Sequence, residues 1–397
     1  MKNELLQLNH QALYAAFDRF PSRKGAAVHI NQMAGTLFDA ANGGLLFVLG
    51  DDALPAYQRE DQVEIVRFSK SIANFLDRTL AYGRALRKLL KAQRDTLKLC
   101  HFRDVWSGIA VLEKKNYVTV FEVNALPSIE LPYTYPNLAP ATLDKIRLAE
   151  QFCFVASDAI ITPSHSLQEN LIKRGVDADK ITVIANGATI QPKPPRPANV
   201  PERYLIYFGA LQRWQGVEVL LRSFARLADL TDLHLVICAS THPRTARAYQ
   251  KLATKLEIAE RLHWFFALEE DELAPLRAHA QLSVAPLIEC SRNLEQGCAP
   301  LKILESMAAG VPVVASDMPS VREIINDKID GKLVRPDRPS DLARAIRVML
   351  EYPETLQAMG ERARRRIEEH FTWEKSTDEL RALYHSLCPE LTGKSIA

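Results

Sequence analysis

No stretch of this 397-residue sequence is apolar for long enough to span a bilayer as a helix. The first residues, MKNELLQLNHQALY, lack the apolar run of a secretory signal. Paired cysteines are missing too. The cysteines at positions 100, 153, 238, 290, 298 and 388 show none of the short spacings that hold zinc or build a disulfide framework. Most lie in apolar runs and read as small core residues. A reducing cytoplasm is the expected compartment. An excess of one charge is equally absent: 50 Lys and Arg stand against 48 Asp and Glu, a net charge of +2. That balance argues against a general nucleic-acid binder, which needs a dominant basic field. Short internal repeats and low-complexity tracts are also lacking.

What is present is average in amount and regular in order. Hydrophobic residues make up 47% and charged residues 25%, the balance of a soluble globular protein. The length is too great for one ordinary core and fits two domains. Strand-like runs at 11–16, 43–50, 63–68, 97–102, 117–123, 159–162 and 181–185 are separated by helical or loop stretches, including a long helix over 71–94. A second series runs through 204–208, 233–238, 262–266, 282–286 and 311–315. Such alternation predicts an α/β fold with doubly wound parallel sheets. Between the two series lies QPKPPRPANVPE, whose prolines predict a semi-rigid linker. The expected division is a first domain over 1–190, a linker over 191–202, a second domain over 203–370 and a terminal helix over 371–397. The basic segment GRALRKLLKAQRD could ride on anionic lipid or face solvent.

The segment 281–316 organises the second series. It reads as a strand (281–287), a long polar loop, a short helix (300–309) and another strand (311–315). Pro300 suits the first helical position, where its missing N–H would be unpaired anyway. Gly310 suits the left-handed residue past the last turn, and Pro312 prevents continuation. Lys302, Glu305, Ser306 and Ala309 fall at i, i+3, i+4 and i+7 and so share one face. A polar stripe on an otherwise apolar helix predicts a face turned to a ligand cleft at the carboxyl end of a parallel sheet. The helix N-terminus suits a phosphate.

Pro300-Leu301-Lys302, Glu305, Met307-Ala308 and Gly310-Val311-Pro312-Val313-Val314 resemble the retaining glycosyltransferases of family 4, which have the GT-B fold. A second match runs from 156 to 188, with a helix capped by Ser164 and a strand ending at Asn186-Gly187. The resemblance implies two Rossmann-like domains facing across a cleft that closes to exclude water. It also implies a terminal helix crossing back to the first domain. Glu305 would hold the ribose of a sugar nucleotide, and the preceding loop, with Gly297, Pro300 and Leu301, would touch the diphosphate. The family's other glutamate falls here on Gly297.

The family's phosphate loop corresponds to FGALQRWQGVEVLLRSF, where Gly209 and Gly216 bracket a turn. Family members carry an arginine after the first glycine and a lysine before the second; this chain has Ala210 and Gln215. A departing diphosphate needs cations or aimed N–H donors. Arg213 in the loop, Lys302 on the helix and the amides of 297–301 are the candidates, since a guanidinium pairs bidentately with phosphate. Trp214 reads as an anchor for this loop or a lid. In the first domain, Gly25 would close on the donor, and Arg23 and Lys24 meet either phosphate or solvent. The place of a family histidine beside the transferred sugar holds Asn124, or Glu122 if the alignment slips. His101 and Asp104 lie on the neighbouring loop. A stiff loop rich in proline and tyrosine, with Pro127 and Tyr133, is either an acceptor-shaping element or a plain surface loop.

The leading expectation is an enzyme that moves a sugar, with retention, from a UDP- or GDP-sugar to a glycan, lipid or small-molecule acceptor. The resemblance implies no metal and no other cofactor. It casts Arg213, Lys302 and Asn124 as catalytic, and Glu305, Gly209, Gly216, Gly297, Pro300, Leu301 and Gly25 as donor-binding. His101, Glu122, Pro127 and Tyr133 fall on the acceptor side. A monomer or homodimer is expected, in glycan or glycoconjugate synthesis, with at most weak peripheral contact at the inner membrane face. Two other readings keep the fold: a sugar-nucleotide epimerase or phosphorylase, and a non-catalytic sugar-nucleotide-binding subunit. Loss of the loop arginine and lysine favours the last; retention of Lys302, Glu305 and Arg213 disfavours it.

Overall fold

The computed structural model describes residues 9–22, 25–297 and 299–391. Arg23 and Lys24, both phosphate candidates, and Cys298, within the 297–301 amides, lie outside the described residues. The chain divides into two compact units. One holds the described residues up to Ile184 and from Ser376 onward, and the other holds Ala185–Lys375. The proline-rich segment thus counts with the second unit.

The first unit runs β1 (Ala12–Arg19), α1 (Gly25–Ala41), β2 (Gly44–Leu49), β3 (Tyr57–Glu60), β4 (Val63–Phe68), α2 (Phe75–Ala92), β5 (Leu99–Phe102), α3 (Val105–Leu112), β6 (Val118–Glu122), α4 (Pro127–Thr134), α5 (Pro140–Ala156), β7 (Ala159–Thr162), α6 (His165–Lys173) and β8 (Ile181–Val183). Strands such as β2 and β5 are buried along nearly their whole length. Apart from His101 in β5, their side chains are therefore apolar in unbroken runs, as in a parallel sheet covered on both faces. The strand order is β3-β4-β2-β1-β5-β6-β7-β8, and all pairs are parallel except β3 with β4. β3 was not expected from sequence because YQRE is polar and half solvated at the sheet edge. The order reverses between β1 and β5, so the carboxyl ends of those strands and their neighbour β6 border the unit's crevice.

The expected stiff loop at 127–136 is instead helical over Pro127–Thr134. Pro127 takes a first-turn position of α4, and Pro132, near its end, sacrifices a single backbone bond. Prolines at both places fit a helix of two turns, which their number had obscured.

The second unit runs β9 (Tyr204–Gly209), α7 (Val217–Phe224), β10 (His234–Ala239), α8 (Arg247–Lys255), β11 (Leu262–Phe266), α9 (Glu270–Ala278), β12 (Leu282–Ala285), α10 (Ser291–Leu294), α11 (Leu301–Ala308), β13 (Val313–Ser316), α12 (Pro319–Ile324), β14 (Lys332–Val334), α13 (Pro339–Leu350) and α14 (Pro353–His370). Its sheet is parallel throughout, ordered β11-β10-β9-β12-β13-β14, with the reversal between β9 and β12. A last helix, α15 (Trp373–Leu387), contributes its residues from Ser376 to the first unit. The organising helix is α11. Pro300 is its N-cap rather than its first helical residue, with extended φ/ψ of −75° and 108°, and Gly310 follows with φ of 72°. The long polar loop before it contains the one-turn helix α10.

Candidate nucleotide-binding site and a buried carboxylate hub

In the second unit the topology itself marks the place. The loop after β9 and the segment after β12 both leave carboxyl ends at the point where strand order reverses. Gly209 and Gly216 bracket the first of these loops with φ of 123° and 70°. A Cβ on Gly216 would sit 1.7 Å from the Pro286 carbonyl oxygen, so only glycine lets the two segments meet. Between the glycines, Arg213 is exposed, and its guanidinium has no hydrogen bond or ion pair with the described residues. The Trp214 carbonyl accepts from the Ile288 amide at 3.2 Å and from Asn293 Nδ2 at 2.9 Å, while Arg292 lies over its ring. These bonds tie Trp214 to the second segment.

Helix α11 presents two charged groups here. The Lys302 ammonium donates to Gln215 Oε1 at 2.6 Å and stands 4.2 Å above the Tyr207 ring. Lys302 thus brings its charge to the residue that replaces the family's loop lysine. Glu305, one turn on, keeps 27% of its side chain exposed. Burial raises its carboxyl above the ordinary 4.5; Arg277 and Lys302 pull it back, and Glu270 pushes it further up. Ser306 does not join this face. It is fully buried, bonded to Ser283 of β12 at 2.7 Å and to the Lys302 carbonyl, so the expected four-residue stripe narrows to Lys302, Glu305 and Ala309. Gly297 is buried with φ of 75°, and Asn186 Nδ2 donates to the Ala299 carbonyl at 3.0 Å, fixing the approach to Pro300 and Leu301.

Arg277, at the end of α9, escaped the sequence reading because an arginine on an amphipathic helix ordinarily faces water. It is 7% exposed, lies over the Phe208 ring, donates to Glu270 at 2.6 Å and comes within 3.8 Å of Glu305.

In the first unit the crevice end of the sheet is built around Glu122. Its carboxylate accepts from Tyr14 Oη at 2.6 Å and Arg103 Nη1 at 2.8 Å. It lies 3.0 Å from His29 Nδ1 and 3.2 Å from His101 Nε2, and Asn124 also donates to it. His101 Nδ1 is in turn 2.5 Å from Tyr384 Oη of α15. Burial alone would raise the Glu122 carboxyl, but His29, Arg103 and the hydrogen bonds outweigh it and hold the group well below the ordinary 4.5. Burial lowers the His101 imidazole, against the pull of Glu122. His101 and Glu122 are 0% and 1% exposed, so neither side chain can itself touch an acceptor. Among the hub's residues, Asn124 is partly exposed. Pro127 and Tyr133 lie on α4, with Tyr133 against the unit's apolar core. Gly25 starts α1 and is exposed. His29, Arg103 and Tyr14 were not singled out from sequence, since the parallel register of β1 and β5 and the packing of α1, not chain proximity, bring them together.

A parallel doubly wound sheet with charged groups at its switch point defines a ligand-binding α/β unit, and the solved structures that match give the class. Over 95% of this chain and 99% of theirs, the chain resembles sucrose-phosphate synthase from Thermosynechococcus elongatus, with a TM-score of 0.77 and 19% identity. It resembles HepE of Anabaena, solved in complex with UDP and glucose, over 95% of this chain and 100% of that one, with a TM-score of 0.75 and 16% identity. These likenesses show the GT-B fold. The family described as Glycosyltransferase Family 4 matches residues 23–191, and that described as Glycosyl transferases group 1 matches residues 191–366. The chain belongs to the family 4, or group 1, glycosyltransferases of the GT-B fold. It is 28% identical over 228 residues to the MMP alpha-(1->4)-mannosyltransferase of Mycolicibacterium hassiacum, covering 57% of this chain and 53% of that protein. It is 26% identical over 261 residues to the alpha-maltose-1-phosphate synthase of Mycobacterium tuberculosis, covering 60% of this chain and 66% of that one. The chain spans about half the length of the first of these curated relatives and two thirds of the second. Among the described residues, no helix is long and apolar enough to cross a membrane.

Proposed function

We propose that the chain is a retaining glycosyltransferase that moves a sugar from a UDP- or GDP-sugar to a glycan, lipid or small-molecule acceptor. The observation that carries this reading is the pair on α11: a partly exposed carboxylate and an ammonium one turn apart, at the switch point of the second sheet. Glu305 accepts from the ribose hydroxyls. Lys302, Arg213 and the backbone N–H groups of Gly297, Ala299 and Leu301 steady the diphosphate as it gathers charge, so the counter-charge comes from the chain itself without a metal ion. Departure and attack take place on one face of the sugar, which preserves its configuration. Asn124, held by the Glu122 hub, serves the transferred sugar, and the α4 region with Pro127 and Tyr133 serves the acceptor. The match to HepE, which was solved with UDP-glucose, supports a UDP-sugar as the first donor to try.

The test follows release of nucleoside diphosphate from a panel of UDP- and GDP-sugars, with and without candidate acceptors. Slow release without acceptor and faster release with one is the expected result, and Glu305→Ala is expected to abolish donor binding. Ala210 and Gln215, in place of the family's loop cations, favour the binding-subunit reading. Binding without turnover across the whole panel would establish that reading, and interconversion of the donor sugar would establish an epimerase.

A further inference from the structure

We propose that Arg277 and Glu305 together grip the vicinal hydroxyls of a ribose, so that Arg277 is the residue that selects ribonucleotide over deoxyribonucleotide donors. The inference rests on reading α11 as the donor site and adds a residue from a different helix to it.

The geometry is that of a site waiting for a group that both donates and accepts. A guanidinium only donates and a carboxylate only accepts, so the two would ordinarily bond directly. Here Arg277 Nη1 stops 3.8 Å from Glu305 Oε2, close enough for charge attraction and too far for a hydrogen bond. Nη1 and Nε have no hydrogen-bond partner among the described residues, although the side chain is nine-tenths buried. Buried donors in this state are rare, and each is costly to leave unmade. Nor can the group turn away to find another acceptor. Nη2 is held by Glu270 at 2.6 Å, and the Phe208 ring covers one face with its centroid 5.5 Å from the guanidinium carbon.

The charges decide what fills the gap. A phosphate would satisfy Arg277 but would meet the carboxylates of Glu305 and Glu270. A hydroxyl meets both needs, accepting from Arg277 while donating to Glu305. A second hydroxyl on the next carbon can donate to the other carboxylate oxygen. A ribose offers that pair, and a deoxyribose leaves one of the protein groups unpaired.

Calorimetry with UDP and GDP, and with their 2′-deoxy and 3′-deoxy counterparts, tests this on the full chain. The wild-type protein is expected to bind the better ribonucleotide about tenfold or more tightly than at least one deoxy form, the worth of a hydrogen bond to a charged group. Arg277→Met is expected to lower that ratio at least about threefold, while binding of the diphosphate itself stays measurable. Arg277→Lys keeps a positive charge beside Glu305 and loses only the forked geometry. It is expected to retain the fold and still lower the ratio. Equal binding of ribo and deoxy forms by the wild type would overturn the proposal and the ribose role given to Glu305, while leaving diphosphate binding at α11 standing; an unchanged ratio in either folded variant would overturn the proposal alone. A wild-type chain that binds none of these nucleotides would sink both.

Discussion

Lys302 Nζ donates to Gln215 Oε1 at 2.6 Å while resting 4.2 Å above the Tyr207 ring. A lysine at 215 would press a second ammonium against the first, so the amide at 215 and the ammonium at 302 are matched to each other. The loop supplies a neutral partner that aims the ammonium on α11.

Because that ammonium carries the charge, Lys302→Ala is expected to lower turnover by about a hundredfold or more, the scale of losing a preorganised stabilising group. Gln215→Ala leaves the ammonium in place and is expected to cost less than about tenfold, mostly by letting it wander. Steady-state kcat and KM for the donor separate the two.

Arg213 offers a contrast. Its exposed guanidinium has no polar bond to the described residues, so Arg213→Ala is expected to leave thermal stability within about 0.5 kcal/mol of wild type. Turnover is expected to fall more than donor affinity does. Unchanged kcat would remove Arg213 from the diphosphate site.

Ser306 shares α11 with Glu305 but is turned to β12, where its hydroxyl bonds to Ser283. Ser306→Ala strands a buried hydroxyl and is expected to cost about 1–3 kcal/mol of stability while leaving the donor KM unchanged. Denaturant unfolding and kinetics on one preparation check both halves.

The Glu122 hub makes the first unit acid-sensitive with a definite sign. Its folded-state carboxyl lies below the ordinary 4.5, so the stability it gives is complete above that value and is lost as pH falls through the lower folded one. His101 is also lowered, from 6.5, so below that pH the unfolded chain binds a proton that the folded chain resists. The contribution of these two groups is therefore expected to fall on acidification from about pH 6.5 and more steeply below about 4.5, offset in part by Asp104, whose carboxyl is pushed up to about 6 by burial. Glu122→Gln is expected to cost about 3–5 kcal/mol at neutral pH by breaking buried ion pairs, with the gap to wild type narrowing below pH 4.5. Melting curves across this range, on both proteins, test it.

Much of the fold was legible because local punctuation and long-range packing agree. The α11 helix was bounded by Pro300 and Gly310 and sat between two apolar runs, so its ends were readable to within a residue. Apart from the edge strands β3 and β14, the strands of both sheets were apolar enough to be found in order. What was hidden depended on neighbours distant in sequence. Spacing put Ser306 on the same face as Glu305, but could not say that β12 passes beneath that face. The side chains of Tyr14, Arg103 and Glu122 meet only once β1, β5 and β6 are in register, and His29 joins them from α1. Arg277 looked like one more solvated charge until α9 placed it over Phe208. Prolines misled in the opposite way at α4, where their number outweighed their positions.

The contact between Gly216 and the Pro286 carbonyl has a mechanical consequence. With the Ile288 amide and Asn293 also fastened to Trp214, the turn after β9 and the segment after β12 behave as one clasped piece. Neither can swing aside alone to admit a bulky molecule. A side chain added at 216 would unhook both at once, and hydrogen exchange would register it as simultaneous loosening of two stretches about 70 residues apart in the chain.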